Sequence, residues 1–108
     1  MYVFNTIKRV YSNHILFKIF NSTIILLYHR VADLESDPQL LSVTKNNFRD
    51  QMKFLKENYI ILSLSDLQKS IHNKTIPENG IVVTFDDGYA DNLYNAKPIL
   101  QEFNIPAT

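Results

Sequence analysis

The chain has 108 residues, 45% of them apolar and 20% charged, with a formal net charge of zero. That length suits one small domain, and the composition is that of a globular protein. The charge balance leaves no basic footprint for nucleic acid. The absence of cysteine excludes disulfides and thiolate metal sites, so any metal must be held by oxygen and imidazole.

Residues 2–20 carry Val3, Ile7, Val10, Ile15 and Ile19 at roughly helical spacing, which predicts an amphipathic helical segment over 1–22. Lys8 and Arg9 precede a partly apolar stretch, but Lys18, Asn21, Ser22 and Thr23 interrupt it and no small-residue cleavage site follows. This pattern favours neither a signal peptide nor a membrane span. Thr23 to Tyr28 is a β-branched and aliphatic run, which predicts a strand with both faces covered, as in parallel sheets. His29, Arg30 and Val31 close it, and 32–43, with Pro38, is expected to be a loop.

Thr44 is placed as the N-cap of a helix over 45–57 that sets Phe48, Met52 and Leu55 on one face. Tyr59 to Leu62 is the next strand. Ser65, with Gln68 three residues later, is expected to open a second helix through a capping box. Pro77, Asn79 and Gly80 mark a turn-rich connection, and Ile81 to Phe85 is a third strand. A last helix over 91–103 offers Leu93, Ile99, Leu100 and Phe103 to the core, with Pro98 kinking it or delaying its start. The alternation of strands and helices predicts an α/β fold around a parallel sheet, with its chemistry at the C-terminal strand ends.

Two chemistry-bearing segments fall at that edge: His29, and the run Thr84-Phe85-Asp86-Asp87-Gly88-Tyr89-Ala90-Asp91-Asn92. Adjacent carboxylates repel one another and resist desolvation unless a cation offsets them, which makes the pair a metal-site candidate. Gly88 allows a sharp turn that lets both face one cavity. The plain alternative is a turn with a helix cap. His29 is expected either to touch substrate or orient a carboxylate, or simply to bond to loop backbone. Tyr89 and Asp91 are expected to line the cleft or to pack and cap.

Thr84-Phe85-Asp86-Asp87-Gly88 resembles the first signature motif of the polysaccharide deacetylases, the NodB-homology or family 4 carbohydrate esterases. Leu27-Tyr28-His29-Arg30-Val31 is similar to the strand end that opens many members. The segments Leu41 to Leu55, Ile61 to Leu64 and Leu100 to Thr108 are similar to the stretches around and after it, so that the likeness runs from about Thr23 to the last residue. The resemblance implies the N-terminal portion of a distorted (β/α) barrel, truncated, with 23–108 an incomplete NodB-homology domain. It implies hydrolysis of acetyl groups from N- or O-acetylated sugars, so the expected partner is an acetylated glycan. Asp86 is implied as general base and Asp87 as ligand of a divalent metal, zinc foremost, with His29 and Tyr89 at substrate or behind the ligands.

The pair of metal-binding histidines that the family carries one βα unit downstream has no counterpart here, since His14, His29 and His72 stand far apart in sequence. The chain alone is therefore expected to be inactive. A fragment of a nucleotide-sugar glycosyltransferase, with an Asp-Asp-Gly turn of its own, and a non-catalytic glycan-binding remnant stay open as alternatives. The cytoplasm is the favoured compartment, with the cell envelope or secretion as the alternative.

Overall fold

The computed structural model describes residues 22–108. The expected helical segment over 1–22 lies outside the described residues but for Ser22, which has no regular structure. Five strands and three helices follow in order: β1 (Thr23–Tyr28), β2 (Arg30–Val31), β3 (Ser42–Val43), α1 (Lys45–Asn58), β4 (Ile60–Leu62), α2 (Leu64–His72), β5 (Gly80–Phe85), a π-helical turn (Asn92–Ala96) and α3 (Lys97–Glu102). Among the described residues no helix is long and apolar enough to cross a membrane.

The main sheet is parallel, in the order β1-β5-β4. Its centre is the most apolar strand, as burial on both faces requires: Ile81, Val82 and Val83 are each essentially inaccessible. β1 lies beside it in full register, Thr23 opposite Gly80 and Tyr28 opposite Phe85, so the two strands end together. The close approach at the other end depends on Gly80, where a Cβ would collide with the Thr23 side chain. Thr23 Oγ1 in turn donates to the Pro77 carbonyl at 3.0 Å. Beyond β4, Ala107 bridges Val83 in parallel and Phe85 N–H donates to the Thr108 carbonyl.

The core lies on the face of the sheet that α1 and α3 cover. Phe48, Met52 and Leu55 recur on one side of α1, as their spacing predicts, and meet Leu26, Tyr28, Ile81, Val83, Ile99 and Leu100. Each such side chain contributes about 1.5–3 kcal/mol by leaving water. Tyr28 is central, edge-on to Phe48 at 5.1 Å and stacked with Phe85 at 5.6 Å. Its hydroxyl donates to Gln51 Oε1 at 2.8 Å, and burial pushes its pKa well above the usual tyrosine range. Gln51 Nε2 is buried without a hydrogen-bond partner among the described residues.

Several expectations are corrected. The second face of β1 is not covered, since Ile25 and Leu27 are exposed there among the described residues. Within 32–43, Ser42–Val43 forms a strand beside β2, held by the Asp37 carboxylate, which accepts from Leu41 and Ser42 N–H. Thr44 does cap α1 through Asn47 N–H. The cap of α2 is Ser63 rather than Ser65: it accepts from Asp66 N–H, and its hydroxyl donates to Asp66 Oδ2, holding that carboxyl below the usual range.

The last helix is not uniform. Pro98 has no N–H to give Tyr94, and its ring would crowd that carbonyl. The chain widens by one residue instead, with Lys97 N–H bonding to the Asn92 carbonyl. The wider turn alters the helical phase, which leaves Leu93 exposed rather than in the core, while Ile99 and Leu100 are buried as expected.

Candidate active site

Parallel, in-register strands of equal length bring their C-terminal ends to one edge. Here the Asp86 N–H donates to the Tyr28 carbonyl at 2.9 Å, closing the ladder and setting His29 beside Asp86-Asp87. The chain then reverses sharply. Asp87 and Gly88 adopt φ of 67° and 61°, two successive left-handed residues. Asp tolerates that region through its short polar side chain, and Gly does so freely. No heavy atom lies within 4 Å of a Cβ built on Gly88, so this glycine serves backbone conformation rather than a close approach.

The turn delivers Asp87 Oδ2 to His29 Nδ1 at 2.9 Å, across 58 residues of sequence. An ionised carboxylate only accepts, so Nδ1 is the donor in this contact. The side chains are 31% and 52% exposed. Asp86 is exposed as well, and no hydrogen bond or ion pair among the described residues engages its carboxylate. The edge thus presents one carboxylate free of partners among the described residues, one carboxylate oriented by an imidazole, and that imidazole's outer nitrogen.

A second layer was not foreseen from the sequence. Arg30 Nε and Nη2 both donate to Asp91 Oδ2, at 2.9 and 2.8 Å, and Asp91 Oδ1 accepts from Val31 N–H at 3.1 Å. The guanidinium stands 4.6 Å from the centroid of the Tyr89 ring, a cation–π contact. Asn92 Nδ2 donates to the His29 carbonyl at 3.1 Å, and Asn95 Nδ2 to the Val31 carbonyl at 2.8 Å. Asp91 is therefore a partner for Arg30 and β2, and Tyr89 is half-buried beneath the guanidinium. The only hint in the sequence was a cation and an anion each a few residues past a strand end.

A catalytic zinc site uses three protein ligands and an open position. Among the described residues no group of three or more His, Cys, Asp or Glu side chains could hold a metal ion. His29, Asp86 and Asp87 thus share one edge without completing such a set, and the described residues do not fit a catalytic zinc site by themselves.

No protein-family model matches the chain. Among curated proteins it is similar to the poly-β-1,6-N-acetyl-D-glucosamine N-deacetylase of Escherichia coli (strain K12), 35% identical over 89 residues, which is 81% of this chain and 13% of that protein. Among solved structures, a de-N-acetylase from Aggregatibacter actinomycetemcomitans superposes with a TM-score of 0.70 at 32% identity, covering 79% of this chain and 35% of the other. The Streptococcus pyogenes deacetylase PplD, solved with acetate, gives 0.67 at 29% identity, covering 77% and 39%. The chain spans little more than a third of these solved chains and about an eighth of the E. coli protein. The chain therefore belongs with the polysaccharide deacetylases, of which it matches a part.

Proposed function

We propose that this chain supplies the base-bearing edge of a hydrolase that removes acetyl groups from an N-acetylated glucosamine polymer. The observation that carries the reading is the meeting of His29 and Asp87 at 2.9 Å beside an unengaged Asp86, at the shared end of two parallel strands. The names of the relatives supply the substrate class.

In this reading Asp86 is the general base. It takes a proton from water as the water oxygen attacks the acetyl carbonyl carbon, and the carbonyl electrons move onto its oxygen. Collapse of that tetrahedral intermediate breaks the C–N bond, releasing acetate and leaving the sugar amine once it gains a proton. A positioned base of this type contributes roughly 10²–10⁴-fold. Asp87 is assigned as one oxygen ligand of a divalent metal, zinc first, with His29 fixing its orientation as outer-shell partners do. Tyr89 is assigned to the substrate side of the edge. Because the described residues do not complete a ligand set, the 108-residue polypeptide is expected to release no acetate unaided.

The test is a chimera in which residues 22–108 replace the matched segment of the A. actinomycetemcomitans de-N-acetylase. Acetate release from a β-1,6-linked N-acetylglucosamine oligomer supports the reading. A folded chimera that releases none overturns it.

A further inference from the structure

The contact between His29 and Asp87 is too exposed to hold itself. A surface pair of this kind gains little in water, against the entropy of fixing both side chains. Its geometry must come from the backbones that carry it, and these are fastened at two points. On the N-terminal side of His29 the fastening is part of the sheet, Asp86 N–H on the Tyr28 carbonyl. On the C-terminal side, β2 belongs to a separate two-stranded sheet, so the main ladder does not reach it. There the residues that follow the Asp-Asp-Gly turn reach back with side chains instead. Asp91 takes the Arg30 guanidinium and Val31 N–H, Asn92 takes the His29 carbonyl, and Asn95 takes the Val31 carbonyl.

We propose that Arg30 and Asp91 are positioning residues that hold the His29 imidazole on Asp87. This inference rests on the deacetylase reading for its functional meaning but not for its test. Four features single out the pair. It is the one charged contact between the two segments on that side among the described residues, other than the His29–Asp87 contact itself. Asp91 is only 11% exposed, so its charge is far better shielded from water than that of Asp87. The Arg30 side chain is fixed twice, by two donors on one carboxylate oxygen and by the face of Tyr89. Arg30 also balances one of three carboxylates that fall within six residues, Asp86, Asp87 and Asp91.

The readout is the tautomer of His29. Long-range proton–nitrogen spectra of the nitrogen-labelled 108-residue chain at pH 8, where an ordinary imidazole is neutral, distinguish Nδ1–H from Nε2–H. Comparison with His29→Gln assigns the signal, and exposed His72 serves as the internal reference. The native chain is expected to show His29 with its proton on Nδ1. Arg30→Met and Asp91→Asn should shift it to the Nε2–H pattern of a free side chain, with His72 unchanged. Arg30→Lys, which can still offer Nζ to Asp91, should keep most of the native pattern.

An unchanged His29 signal in folded Arg30→Met and Asp91→Asn overturns the proposal. So does global unfolding of both, because the pair would then hold the whole fold rather than this edge. An inactive chimera would fail the deacetylase reading and leave these spectra untouched.

Discussion

Replacing Tyr28 by Phe removes one oxygen atom from the middle of the core, one residue before His29. The Tyr28 hydroxyl and Gln51 Oε1 form a buried bond at 2.8 Å, and Gln51 is 4% exposed. After Tyr28→Phe the Gln51 amide keeps neither partner, since Nε2 already has none among the described residues. A buried acceptor stripped of its donor costs about 1–3 kcal/mol, so a loss near 2 kcal/mol is expected. With a urea slope of about 1 kcal/mol/M for a chain of this size, the midpoint should fall by roughly 2 M. Gln51→Met alone strands the tyrosine hydroxyl and should cost about as much. The double variant removes both polar groups, and Met fills the volume of Gln, so it should lie within about 1 kcal/mol of the native chain. Urea unfolding followed by circular dichroism gives all four stabilities. The reasoning is refuted if Tyr28→Phe shifts the midpoint by less than about 0.5 M, or if the two single losses simply add.

Alkali offers an independent view of the same residue. Burial raises the folded pKa of both Tyr28 and Tyr59. Their stabilising contribution is therefore fully present below the unfolded value of about 10 and is lost as pH rises above it. Stability should begin to fall near that pH, and less steeply in Tyr28→Phe. Gly80→Ala drives a methyl group into the Thr23 side chain and should cost about 1–3 kcal/mol, with part of the loss recovered in the Gly80→Ala, Thr23→Ala double variant by thermal unfolding. Thr44→Ala removes the cap of α1 and should cost about 1 kcal/mol in the same assay.

Much of the architecture was legible because the signals were local. The apolar run of β5 announced a strand, the spacing of Phe48, Met52 and Leu55 announced the buried face of α1, and Thr44 announced its cap. The edge was legible too, because parallel strands put their C-terminal ends together and both ends carried ligand-type residues. What escaped depended on distant partners or close competitors. Ser63 and Ser65 both suit a cap, and Asp66 N–H bonds to the first. Continuous apolarity in β1 cannot say whether a second layer lies over Ile25 and Leu27. The phase of the last helix turns on one missing N–H, at Pro98, and Leu93 shifts with it. The Arg30–Asp91 pair joins positions 61 residues apart, with no periodicity to betray it.

The central claim, that Asp86 is the base of a deacetylase edge, is tested most directly by acetate release from the chimera carrying Asp86→Asn. The substitution keeps the size of the side chain and removes its basicity. The account predicts a fall in kcat of about 10²-fold or more, with the chimera still folded. A kcat equal to that of the parent chimera would contradict it.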